Sequence, residues 1–166
     1  YGTTHLGGER GFGTIFRVTH DGALTSLVSF NLTNGFGPKA GLVMGSDGNF
    51  YGTTFGGGSN NLGTVFQVTP AGALTTLTSF SGSDGSGPEA ELVLATNGNF
   101  WGSTSGTTGN EVPTIFEVTP SGNLTTLARL EIKSPQTPQA SLTPLGGSGE
   151  FLGTSMEGGD QGLGTV

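Results

Sequence analysis

The hexapeptide Asn49-Phe50-Tyr51-Gly52-Thr53-Thr54 returns as Asn99-Phe100-Trp101-Gly102-Ser103-Thr104, and again as Glu150-Phe151-Leu152-Gly153-Thr154-Ser155. The chain is therefore an array, and its opening Tyr1-Gly2-Thr3-Thr4 matches the last four positions of the same element. Aligning residues 1–50 with 51–100 without a gap gives 27 identities in 50, among them Gly7/Gly57, Gly13/Gly63, Phe16/Phe66, Phe30/Phe80 and Pro38/Pro88. A third copy keeps the register through Phe116, Val118, Gly122, Leu124, Leu127, Pro138 and Leu142, then gains one residue within 146–149. Residues 152–166 consequently repeat the chemistry of 1–15. A unit repeated at this period buries its apolar face against its neighbours, which restricts the chain to repeat architectures.

Within a period the sequence predicts four short strands. Taking the middle copies as type, these are 90–95, with Leu92 and Leu94 on one face, then 99–104, 63–69 and 73–80. β-Branched and aromatic residues dominate all four. Asp47-Gly48 and Asn97-Gly98 fit a two-residue hairpin turn between the first two strands, and Pro70-Ala71-Gly72 closes the last two. The interiors are rich in Thr and Gly, and turn signals arrive every ~10 residues, so helix is excluded. Four antiparallel strands in ~50 residues make one β-propeller blade. The fold expected is all-β, a propeller-like array, with a β-solenoid as the alternative. Blade boundaries fall at 1–38 (partial), 39–88, 89–138 and 139–166 (partial).

Thirty-three glycines would suggest disorder if they were aperiodic. Here they recur in register and mark turns. Five Lys and Arg against twelve Asp and Glu, without a basic cluster, leave phosphate-backbone binding without its source of affinity, so nucleic acid is not an expected partner. No apolar run reaches the ~20 residues of a membrane-spanning helix. Cysteine is absent, which removes thiol chemistry and Cys-based zinc sites.

The pattern from Gly63-Thr64-Val65-Phe66 through Thr69-Pro70-Ala71-Gly72, Leu74-Thr75-Thr76-Leu77 and Ser79-Phe80 to Asn99-Phe100-Trp101-Gly102-Ser103-Thr104 resembles the bacterial GloVer repeat. That repeat occurs in tandem in surface-anchored proteins of the choice-of-anchor type. The resemblance covers essentially the whole chain. It implies a secreted or cell-surface bacterial repeat protein, propeller-forming, with no catalytic residues to carry over. The third copy departs from the pattern at Val112-Pro113-Thr114 and at 131–138.

Candidate chemistry is sparse. His5 and His20 have no counterparts at Phe55, Pro70, Ser105 or Pro120, so neither a metal site nor a catalytic base has partners at matched spacing. Asp47-Gly48-Asn49 opens like a calcium loop but lacks its remaining ligands, and reads as a capped hairpin turn. The ligand candidates are Asn49 beside Tyr51 and Asn99 beside Trp101, because a ring next to an amide can hold a sugar by stacking and hydrogen bonding. The competing reading is that these rings pack between blades. The function expected is a non-enzymatic extracellular scaffold for adhesion, interaction or surface assembly, with no cofactor, and with further repeats or identical chains as partners. A glycan is the candidate small partner. The alternatives are a carbohydrate-binding or glycan-cleaving propeller, whose catalysis would need carboxylates ~5–10 Å apart facing one pocket, and a self-assembling extracellular fibre.

Overall fold

Four antiparallel sheets follow one another along the chain in a computed structural model that describes residues 1–106, 112–130, 138–145 and 150–155. The third-copy connector 131–137, the one-residue insertion, Glu111 and the segment 156–166 lie outside the described residues. The first sheet is β1 (Gly2–Thr4), β2 (Thr14–Val18) and β3 (Leu24–Ser29). The second is β4 (Val43–Met44), β5 (Phe50–Thr54), β6 (Thr64–Val68) and β7 (Leu74–Ser79). The third repeats it as β8 (Val93–Leu94), β9 (Phe100–Ser103), β10 (Thr114–Val118) and β11 (Leu124–Arg129), and the fourth is β12 (Thr143–Leu145) with β13 (Glu150–Leu152). The described structure is all-β, with strands in sequence order across each sheet.

Two expectations need correction. The inner strand is only two residues long in β4 and β8, against the 90–95 read from sequence, because the chain before it is tied to the preceding blade. Thr3 donates to the carbonyl of Ala40 at 2.7 Å, and the N–H of Gly87 donates to the carbonyl of Leu62 at 2.9 Å. The first hairpin is also longer than two residues. Gly45 N–H bonds the carbonyl of Asn49 at 2.9 Å, which leaves a three-residue loop. Asp47 caps the amide of Asn49 at 3.1 Å, and Gly48, at φ 78°, takes the left-handed position that this loop needs.

One device recurs at the same place in every complete β-meander. The register slips between Ile15 and Phe16, Val65 and Phe66, and Ile115 and Phe116. The unpaired residue opposite each slip is Leu27, Leu77 or Leu127. A bulge turns a side chain out of the ladder, and here it aims Leu27 and Leu77 at the next blade, beneath Gly72 and Gly122.

The core lies between sheets. One cluster joins Ile15 and Phe30 of the first sheet to Phe66 and Val68 of the second. Another joins Tyr51, Val65 and Phe80 to Leu92, Phe100, Phe116 and Val118. At each of these interfaces two phenylalanines meet: Phe30 and Phe66 at 5.4 Å, Phe80 and Phe116 at 5.2 Å between ring centroids. Leu92 and Leu142 are buried and Leu42 is half-buried, all at the equivalent position just before the inner strand.

Candidate functional site

The four residues singled out from sequence fall on one end of the sheets, where the β4–β5 and β8–β9 hairpins turn. In the second blade Asp47 is the hub. Its Oδ2 accepts from Asn49 Nδ2 at 2.8 Å, from the Tyr51 hydroxyl at 2.9 Å and from Gln67 Nε2 at 3.1 Å. Gln67 also donates to the Tyr51 oxygen at 2.7 Å. In the third blade the carboxylate has moved to the strand. Glu117 Oε1 accepts from Asn97 Nδ2 and Asn99 Nδ2, both at 2.9 Å, and from Trp101 Nε1 at 3.3 Å. The pair Asp47/Gln67 has become Asn97/Glu117, so each blade keeps one acid and one amide at these positions.

Sequence reasoning missed Asp47, Gln67, Asn97 and Glu117 as members of the site. The signal was the reciprocal exchange of acid and amide at two positions twenty residues apart, since one carboxylate is enough to hold the asparagine and the ring.

The electrostatics follow from these bonds. Hydrogen bonds from Asn99 and Asn97 chiefly, and from Trp101, hold the Glu117 carboxyl below its ordinary range against a smaller effect of burial. At Asp47 burial is the largest single influence and pushes upward, but the bonds from Asn49 and Tyr51 together outweigh it and the net shift is downward. Burial raises the Tyr51 hydroxyl, and the bond to Asp47 adds to it. A depressed folded-state carboxyl contributes stability above its unfolded pKa, near 4, and that contribution is lost as pH falls through the folded value.

The rings themselves are used in packing. Tyr51 has no exposed surface and stacks on Phe100 of the next blade at 4.1 Å and 28°. Trp101 stacks on Phe151 at 4.1 Å and 24°, and Tyr1 lies over Phe50 at 4.2 Å. No face of the Tyr51 ring is open to solvent, and Phe100 lies over one side of it. Asn49, Asn99 and Trp101 remain half-buried. His5 and His20 are exposed and outside this network, His5 standing against Gly37. Among the described residues no group of three His, Asp or Glu side chains is placed to hold a metal.

A second cross-blade contact joins equivalent positions. Lys39 Nζ lies 2.7 Å from Glu89 Oε1 and 3.6 Å from the centre of the Phe55 ring, and Gln139 donates to Glu89 Oε2 at 3.0 Å. Lys39, Glu89 and Gln139 occupy the same repeat position in successive blades.

The repeat that produces both contacts is matched over residues 1–166 by the family model described as the Gloeobacter/Verrucomicrobia repeat. The chain belongs to that family. A GloVer array thus has its sequence period expressed as one sheet per repeat. The chain also superimposes on an X-ray structure of a candidate gluconolactonase, a β-propeller, with a TM-score of 0.52 and 18% identity. The match covers 89% of this GloVer chain and 54% of that protein, so the chain spans about half the length of the structure it resembles. At this identity the likeness is one of fold. No curated protein matches the GloVer chain.

Proposed function

We propose that this chain is a non-enzymatic, extracellular scaffold whose blades present a rigid surface for adhesion, interaction or surface assembly. The observation that carries the reading is the use made of the carboxylates beside the aromatic positions. Asp47 and Glu117 each accept at least three hydrogen bonds from their own blade and are held in the charged form. A general acid needs a raised pKa and a free proton path, and these two groups have the opposite character. They fasten the hairpin and the ring that seats the next blade. The resemblance to tandem repeats of anchored bacterial proteins supports the extracellular setting.

A carbohydrate-binding reading keeps one specific support, the half-buried Trp101 beside Asn99. One set of assays separates the two. The chain is expected to leave a glycan array blank and to hydrolyse neither gluconolactone nor polysaccharide faster than buffer, while antibody detects it on intact cells. Glu117→Gln is expected to flatten the loss of stability below about pH 4 and to change nothing else. Turnover that disappears in Glu117→Gln, or glycan binding that disappears in Trp101→Ala with the melting temperature unchanged, would overturn the scaffold reading.

A further inference from the structure

Two asparagines stand directly before a glycine, in Thr33-Asn34-Gly35 and in Thr96-Asn97-Gly98. In such a pair the backbone nitrogen of the glycine can attack the side-chain amide and close a five-membered ring, because no Cβ on the glycine obstructs the approach. With the same residue on the N-terminal side, the two pairs differ chiefly in how the fold holds them.

Asn97 is fastened at both ends of its amide. Its Oδ1 accepts from the Asn99 N–H at 3.0 Å, its Nδ2 donates to Glu117 Oε1 at 2.9 Å, and the N–H of Gly98 donates to the carbonyl of Ala95 at 3.0 Å. Closing the ring there would remove the last two of these bonds, one of them to a carboxylate. Asn34, half-buried in the connector between β3 and β4, has less to lose. Its Oδ1 accepts from the Asn31 N–H at 2.9 Å, and ring closure keeps that oxygen. The N–H of Gly35 reaches the carbonyl of Leu32 only at 3.4 Å, and among the described residues no group holds Asn34 Nδ2.

We propose that Asn34 is a site of spontaneous covalent modification, deamidating through a succinimide, and that the folded connector steers the product to aspartate. The Gly35 nitrogen bonds to Cγ of Asn34, the Cγ–Nδ2 bond breaks, and Nδ2 leaves as ammonia with the proton of the Gly35 N–H. Water then opens the ring, at Cγ to give aspartate or at the α-carbonyl to give isoaspartate.

The surroundings separate the two products. The α-carbonyl of Asn34 faces the second blade, where the hydroxyls of Thr64 and Thr76 approach its oxygen at 3.5 and 3.4 Å. Gly35 beside it is buried, and a Cβ there would stand 2.5 Å from Thr54 Cγ2. The side-chain amide turns instead to Asn31, which is exposed, so water reaches Cγ more readily. Isoaspartate would also add a methylene to the main chain at this tight contact, whereas aspartate leaves the backbone unchanged. The second copy carries the aspartate already. Asp84-Gly85 occupies the equivalent position, Asp84 Oδ1 accepting from the Ser81 N–H at 2.7 Å and the Asp84 carbonyl from the Thr114 hydroxyl at 2.9 Å. Modification therefore converts the first connector to the chemistry of the next, with one added negative charge. The inference stands apart from the scaffold reading, since it concerns the connector and not the hairpin end of the blades.

The test holds the folded 166-residue chain at mildly alkaline pH and follows its peptides by mass spectrometry, with fragmentation that distinguishes aspartate from isoaspartate. Conversion at Asn34 is expected to run at least about tenfold faster than at Asn97, the factor that one charge-assisted hydrogen bond commands, with aspartate as the main product. In denaturant the two sites are expected to convert at similar rates and to give mainly isoaspartate. Asn34→Asp is expected to keep the wild-type melting temperature. An Asn34 that stays intact in the folded chain would overturn the proposal, as would an Asn97 that converts as fast. Isoaspartate as the main folded-state product, or a lowered melting temperature for Asn34→Asp, would overturn the steering by the connector.

Discussion

Phe116→Ala is expected to cost the array about 3–5 kcal/mol, the range for truncating a fully buried phenylalanine. Phe116 has no exposed surface and is shared by three layers of contact. Its ring meets Phe80 of the preceding blade edge-on at 5.2 Å, it covers Gly102 across its own sheet, and it belongs to the cluster that includes Leu92 and Phe100. Removing it leaves a void at a glycine, where no side chain is available to relax inward. A cost near the upper end of the range is therefore expected. The cost is read from denaturant titrations of both proteins at one protein concentration, because association would shift the midpoint. A loss below ~1 kcal/mol, the size of an ordinary helix- or strand-propensity effect, would contradict the packing described.

Gly102→Val is the converse experiment, filling the space that the ring occupies. Its Cβ would stand 2.5 Å from Phe116 Cζ and 2.9 Å from Leu92, so both side chains must leave their positions in a core that touches the preceding blade. Overpacking of this kind costs about 1–3 kcal/mol. Val has the better intrinsic strand preference, which would favour the variant if packing were indifferent. The sign of the effect thus decides between the two: a lowered melting temperature follows from close approach, and an unchanged or raised one would show that Gly102 has no packing role.

The period and the fold class were legible because the glycines and aromatics return in register. Phe16, Phe66 and Phe116, and Phe30 with Phe80, recur at fixed spacing, and a phenylalanine that recurs on alternate strand positions has to be covered by the next unit. The glycine of the hexamer recurs with them inside a strand, where Gly is weakening unless a bulge or a close approach requires it. What approaches it was hidden, because Phe66 and Gly52 are neighbours only through strand pairing. The length of the inner strand was illegible as well. Leu92, Val93 and Leu94 alternate like a longer strand, but which backbone groups pair depends on the preceding blade, where the carbonyl of Leu62 takes the N–H of Gly87.

At the candidate site, the ring and its asparagine were visible in sequence and their use was not. Tyr51 and Trp101 could be read as stacking platforms for a sugar or as rings packed between blades, and the structure supplies the neighbours, Phe100 and Phe151. The acid that completes each network lay in the turn in one copy and on the strand in the next, so an alignment column by column hides it. Only the two columns together keep their chemistry.

Each repeat is a blade seated on the last by a ring over a glycine, with the blades arranged about one axis. A crystal structure of the 166-residue chain tests it most directly, through the operation that superimposes residues 51–100 on their counterparts in the first and third copies. The expected result is a rotation of the same size and sense between successive copies, about one shared axis beside the inner strands, with Phe66 and Phe116 over Gly52 and Gly102. A pure translation between copies, which is the signature of a solenoid, would contradict it.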